Sequence, residues 1–368
     1  MYKGKTFDIR YVGSRFDGGR LPLEVLSDLP AFRELLLIFA KEKWRSRNPA
    51  RRRLPKGFEQ SISYDLVGIS SGSAVVHIAF GYEPQQGILP GLAYDEDLFA
   101  HSCQGVTDLI RSASDLQSLN TPSLAISRAV NRIGSWLSPK ERIEIKGIDG
   151  NIAIMDETRR KHLVTTAQDT YTRRSDGIGI LSLLDMDGYI AIRTVEYGKV
   201  RFAIDPDRIN TEFRGSFGSP VQFSLLIELD AKDKYKSVKE VYEVELIDPE
   251  RSDSVMNCMD RLTELRQLED GWLDGSGIRP TDDAISSVEL FLNERPDLAS
   301  EFRIYPMEDG GVSIEFEHDG WGLSLEFRPD GKVEIFGVEI DGPSEIEPTL
   351  FERVDEPFLK EFDKRTGR

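Results

Sequence analysis

Between Val312 and Phe336 apolar residues fall on every second position, in stretches separated by turn residues. Val312, Ile314 and Phe316 alternate with Ser313, Glu315 and Glu317. Leu323, Leu325 and Phe327 alternate with Ser324 and Glu326, and Lys332 to Phe336 carries Glu334 on its polar side. A period of two sends successive side chains to opposite faces of a strand, so each stretch has one face to bury. Asp319-Gly320 is a two-residue hairpin turn and Pro329-Asp330-Gly331 a second bend, so these strands run antiparallel. Phe302 to Tyr305 reads as one more strand.

Two helical stripes precede this meander. Val255, Cys258, Met259, Leu262 and Leu265 recur at helical spacing, with Gly271 as the stop. Thr281 caps the next helix, Asp282 and Asp283 sit in its first turn, and Ala284, Ile285, Val288, Phe291 and Leu292 form its buried face before Pro296. Two helices on one face of an antiparallel sheet make an α+β unit over residues 250–345. Trp272 is expected as a buried plug over the two helices, with Asp274 bonding loop amides. Residues 346–368 read as an acidic, proline-spaced tail that Leu350, Phe351, Phe358, Leu359 and Phe362 can dock.

A chain of 368 residues is too long for one ordinary core. The expected fold class is α+β and multidomain. Residues 1–138 form an N-terminal α+β domain with a strand at Thr6–Val12. A helix capped by Ser27 runs to about Trp44, a hairpin flanks residues 70–73, and two more helices lie within 95–117 and 122–137. Residues 139–249 form a β-rich barrel or sandwich. Asp149-Gly150-Asn151-Ile152-Ala153-Ile154 recurs there as Asp187-Gly188-Tyr189-Ile190-Ala191-Ile192, and His162-Leu163-Val164 is echoed by Val200-Arg201-Phe202. That pattern fits two related hairpins, or simply two Asp-Gly turns followed by strand formers.

Hydrophobic content of 39% and charged content of 30% belong to a folded protein. Leu35 to Ala40 is the longest apolar stretch, far short of the ~20 residues of a membrane helix. No apolar segment follows the opening Met-Tyr-Lys-Gly-Lys, so a secretory signal is not expected. Cys103 and Cys258 lie in different segments and are read as small apolar residues of helix interfaces. The expected location is the cytoplasm, with no membrane contact.

Charge is unevenly distributed. The last 118 residues carry 29 Asp and Glu against 13 Lys and Arg, a net of −16, while the first 60 carry 14 basic against 7 acidic, a net of +7. Such a field governs partner choice and encounter more than fold. Period-two alternation puts Glu315, Glu317, Glu326 and Glu334 on one exposed sheet face, either an ordinary solvated face or one that docks a basic partner. Lys41, Lys43, Arg45, Arg47, Arg51, Arg52, Arg53 and Lys56 form a basic run with Trp44 as a stacking surface. It suits phosphates of nucleic acid, an acidic protein surface, or plain solvation.

No catalytic constellation emerges. Of the four histidines, His77, His101, His162 and His318, none has ligand spacing, and His101-Ser102-Cys103 lacks the Glu and paired Cys of a zinc deaminase. No Gly-x-Ser-x-Gly elbow occurs. Asp95-Glu96-Asp97 reads as a helix start, not a metal site. No catalytic residue, cofactor or metal is assigned.

The loop Gly271-Trp272-Leu273-Asp274-Gly275-Ser276-Gly277 with the later strand Gly310-Gly311-Val312-Ser313-Ile314-Glu315 resembles a module of uncharacterised bacterial proteins. Leu21-Pro22-Leu23-Glu24, Leu54-Pro55-Lys56-Gly57-Phe58 and Gly72-Ser73-Ala74 resemble the opening of the same proteins, over about half of the chain in all. The family resembles toxin-neutralising or defence-island-associated proteins. The resemblance implies a non-catalytic, antitoxin-like or phage-defence role in which the acidic domain binds a basic protein, a toxin or nuclease from a neighbouring gene. A nucleic-acid-binding component acting through residues 41–56 is the alternative, and an unrecognised hydrolase a further one.

Overall fold

Local hairpins recur in all three sheets, and in the first the N-terminal strand joins two of them. The computed structural model describes residues 6–70, 74–82, 96–113, 121–137, 141–147, 149–185 and 187–367. Among them are fifteen strands in three antiparallel five-stranded sheets and eight α-helices, a multidomain α+β arrangement. The chain divides into two compact units, residues 1–174 with 228–234, and residues 175–227 with 235–368.

The first unit holds β1 (Thr6–Val12), α1 (Asp28–Arg47), β2 (Ile62–Ser70), β3 (Ala74–Tyr82), α2 (Glu96–Ser112), α3 (Leu124–Arg132), β4 (Arg142–Lys146), β5 (Ile152–Met155) and α4 (Glu157–Thr165). Its sheet has the order β2-β3-β1-β4-β5. Phe7, Ile9 and Tyr11 alternate inward from β1, as do Ala74, Val76 and Ile78 from β3, against Phe32, Leu35 and Leu36 of α1. Ser27 precedes α1 but does not cap it, because it lies in helical backbone itself. Its hydroxyl donates to Glu24 O and accepts from Trp136 Nε1. A buried polar cluster pins the unit. The Tyr11 hydroxyl donates to Asp28 Oδ2 at 3.0 Å and the Gly134 amide donates to Asp28 Oδ1 at 3.0 Å. Arg160, fully buried, donates to the carbonyls of Ile133 and Thr172 at 2.7 Å each and to Asn131 O.

β4 and β5 hydrogen-bond into this first sheet, not into a central domain beginning at residue 139. The sequence echo also stops early. Both Asp-Gly pairs do turn antiparallel hairpins, Gly150 and Gly188 each at positive φ. After the first, however, Asp156 caps a helix by accepting from the Arg159 amide at 2.8 Å, so His162, Leu163 and Val164 lie in α4 while Val200, Arg201 and Phe202 lie in a strand. The two copies are alike only at the turn.

The second sheet comprises β6 (Thr170–Asp185), β7 (Tyr189–Thr194), β8 (Gly198–Ala203), β9 (Pro220–Asp230) and β10 (Tyr235–Leu246), in the order β10-β9-β6-β7-β8. A short helix α5 (Pro206–Arg208) and a π-turn at Ile209–Phe213 follow β8. The sheet curls into a half-barrel, and the Tyr235 hydroxyl at the start of β10 donates to Arg201 O on the opposite edge strand at 3.2 Å.

The rest of the second unit is α6 (Pro249–Arg266), α7 (Asp282–Glu294), β11 (Arg303–Pro306), β12 (Val312–His318), β13 (Trp321–Phe327), β14 (Val333–Glu339), β15 (Glu345–Phe351) and α8 (Glu356–Arg365). The sheet runs in chain order, β11-β12-β13-β14-β15. Thr281 caps α7 by accepting from the Ala284 amide at 3.2 Å. Val312, Ile314, Phe316, Leu323 and Leu325 are buried against α6 and α7, as the alternation requires. The stretch read as a tail is part of the fold. β15 completes the sheet, and α8 sinks Phe358 and Phe362 into the core, the Phe362 ring 4.9 Å from that of Phe291.

The loop between α6 and α7 closes on itself. Leu273 and Ser276 pair across it, Trp272 Nε1 donates to Ile278 O at 3.0 Å, and Gly277 lies under the indole. Trp272 is therefore half-buried over its own loop, not a buried plug. Asp274 sits exposed at φ +48°, and it is Asp270 that accepts a loop amide, from Arg279 at 2.9 Å.

Candidate functional site

The four glutamates share one face of the third sheet, and the register shows what lies between them. One row crosses all five strands: Tyr305 opposite Ser313, Ser313 opposite Glu326, Glu326 opposite Glu334, Glu334 opposite Leu350. A second row runs Arg303, Glu315, Ser324, Phe336, and a third runs Glu317, Gly322, Val338, Glu345. Cross-strand partners point the same way, so all these residues project away from α6, α7 and α8. Tyr305, Val338 and Leu350 are 44%, 53% and 44% exposed on that face. An acidic face thus carries exposed apolar groups that alternation had left out of account.

Its electrostatics are uneven. Glu326 and Glu334 oppose each other directly, an arrangement that costs a sheet stability. Arg328 relieves part of the repulsion by donating to Glu334 Oε2 at 2.7 Å. Burial, and after it the charge of Glu334, pushes the Glu326 carboxyl above its ordinary range, with Arg328 opposing. Glu315 and Glu317 are exposed and form no ion pair among the described residues.

The basic run is partly consumed inside the first unit. Lys41 pairs with Glu59 at 2.7 Å, and Lys43 and Arg47 both reach Asp97 near the start of α2. Arg45, Arg51, Arg52, Arg53 and Lys56 are exposed and form no ion pair among the described residues. Trp44 is buried against Phe58, ring centroids 6.2 Å apart, so it offers no stacking surface. It falls on the apolar stripe of α1, where a large ring is worth more in the core.

Cys103 and Cys258 are buried in α2 and α6. The His77 ring pairs with Asp8 and Ser70, and the His318 ring with Glu301 and the Thr366 carbonyl. Among the described residues no group of three His, Cys, Asp or Glu is placed to hold a metal ion, and no helix is long and apolar enough to cross a membrane. Asp95 lies outside the described residues, and so does the hairpin tip at 71–73.

No protein-family model, curated protein or solved structure matches the chain.

Proposed function

We propose that this is a binding protein whose outer third-sheet face docks a basic protein. The row Tyr305, Ser313, Glu326, Glu334, Leu350 carries the reading. It sets two directly opposed carboxylates between apolar ends on an uncovered sheet. A cationic side chain seated between Glu326 and Glu334 would relieve their repulsion, while Tyr305 and Leu350 give apolar anchors to either side. The domain's net charge would draw such a partner in and make its association fall with salt. A toxin or nuclease with a basic phosphate-binding groove, the partner implied by the sequence resemblance, has the right chemistry.

The test compares tagged chain with a variant carrying Glu315→Lys, Glu317→Lys, Glu326→Lys and Glu334→Lys. Wild type should co-purify with a basic protein that salt releases, and the folded variant should not. A captured protein equally retained by the variant would refute the reading.

A second reading rests on the exposed cluster Arg45, Arg51, Arg52, Arg53 and Lys56, which suits the phosphates of a nucleic acid. Filter binding to duplex and single-stranded DNA, with and without Arg51→Glu, Arg52→Glu and Arg53→Glu, decides it. Binding that ignores these three changes sinks it.

A further inference from the structure

A sheet's edge strands turn backbone N–H and C=O groups outward, a template for another strand. Five of the six edges in this molecule are blunted. β5 and β11 have four residues each, β15 contains Pro348, and β8 and β10 carry Lys199, Arg201, Lys236 and Lys239. β2, at the edge of the first sheet, is different. Its nine residues include no Lys, Arg or Pro, and Asp65 is its one charge.

The apolar side chains of this edge lie open. Leu66, Val67 and Ile69 are 48%, 42% and 43% exposed. Leu66 stands opposite Ile78 and Ile69 opposite Val76, both buried on the inner face of β3, so these two side chains carry that apolar face out to the sheet edge. They are three residues apart in sequence because the register shifts between Leu66 and Gly68, with Val67 as the extra residue. On a regular strand same-face residues are two apart, so such a strand matches one of them at most. A second copy of β2 matches both. In antiparallel pairing about a two-fold axis, Leu66 faces Ile69 of the second copy, Ile69 faces its Leu66, and the two bulges oppose each other, Val67 against Gly68. Asp65 then falls opposite Ser70, so no like charges meet along the strand. The charge of the surrounding unit permits the approach. Residues 1–174 and 228–234 carry 27 Lys and Arg against 23 Asp and Glu, while the chain's acidic excess lies in the other unit.

We infer that the chain forms a two-fold homodimer in which β2 pairs antiparallel with β2 of a second copy, joining the two first sheets edge to edge. The inference is independent of the acidic face proposed for a basic partner, which belongs to the second unit.

Sedimentation equilibrium of the full chain at rising concentration tests it. A reversible monomer–dimer equilibrium is expected, and Ile69→Lys, a change at an exposed position, should weaken it by about tenfold or more with an unchanged circular-dichroism spectrum. The register has its own test. With Leu66→Cys and Ile69→Cys combined, mild oxidation should give a disulfide-linked dimer, because each new thiol faces one on the other copy. Either change alone should not, since the new thiol then faces an apolar side chain and the native Cys103 and Cys258 are buried. A chain that stays monomeric at every concentration, a dimer that Ile69→Lys leaves equally tight, or equal cross-linking by the single cysteine variants overturns the inference.

Discussion

Arg295 holds Asp363 through two parallel hydrogen bonds, Nε to Oδ1 at 2.8 Å and Nη2 to Oδ2 at 2.6 Å. The pair joins the end of α7 to α8, sixty-eight residues further along the chain. Both side chains are only partly exposed, 19% and 29%, so water screens the pair incompletely. Arg295→Met should destabilise the second unit by about 1–2 kcal/mol, the range for charge-assisted bonds discounted for that exposure. A double-mutant cycle with Asp363→Asn reads the coupling, and additive effects would show that the pair contributes nothing beyond packing.

The same helix gives a larger prediction. Phe362 is fully buried, its ring against Phe291 and Phe316. Phe362→Ala should cost about 3–5 kcal/mol in denaturant unfolding. A loss below 1 kcal/mol would mean that α8 is dispensable to this core.

Stability should fall as pH rises through the acid-to-neutral range, because of Asp28. Burial pushes its carboxyl up to about 7, against the pull of the Gly134 amide, the Tyr11 hydroxyl, Arg160 and Arg15. A raised folded pKa means that the folded state holds its proton where the unfolded state has lost it. The destabilisation therefore grows from about pH 4, the ordinary range, to pH 7 and is constant above. Asp28→Asn should flatten this part of the pH profile of chemical unfolding. A profile unchanged by the substitution would show that Asp28 titrates normally.

Glu326→Gln should stabilise the isolated protein slightly at neutral pH, by about 0.5 kcal/mol, since it removes a like charge facing Glu334. The gain should shrink as pH falls and the wild-type carboxyl takes up its proton, earlier than an ordinary glutamate does. Partner affinity should drop in the same variant. A substitution that weakens both stability and binding would identify a purely structural role.

In the loop before α7, Gly277→Ala should cost more than its size suggests. Its backbone is at φ +83°, and an added Cβ would lie 2.9 Å from Trp272 Nε1. A thermal-melt loss of about 1–2 kcal/mol is expected for this combination of left-handed strain and steric conflict. Trp272→Ala should restore room for the methyl group, so the double variant should be less destabilised than the sum of the two.

Sequence pattern reached some elements and not others for identifiable reasons. The third sheet was legible from Val312 to Phe336 because alternation and Asp-Gly turns agree there. Its last strand was not, since Pro348 and the register shift between Ile335 and Gly337 break the regular pattern. The hairpins at Gly150 and Gly188 look alike because a positive φ dictates both turns, whereas the helix after the first depends on one capping aspartate. The four glutamates could be placed on a common face by counting alone. That two of them oppose each other, that Arg328 holds one, and that Tyr305 and Leu350 end their row are properties of register, which no single strand encodes. The internal pairing of the basic run is hidden from the sequence for a similar reason. Asp97, fifty residues from Arg47, neutralises part of it.

Residues 228–234, the tip of the β9–β10 hairpin, are counted with the first unit although the strands leading to and from them belong mainly to the second. Asp233 there accepts from Lys161 Nζ at 2.6 Å and from the Tyr171 hydroxyl. During synthesis the first unit consequently lacks these partners until residue 234 has left the ribosome, sixty residues after Arg174. A gene truncated at codon 174 encodes an incomplete unit, in which Lys161 and Tyr171 have no Asp233 to receive them.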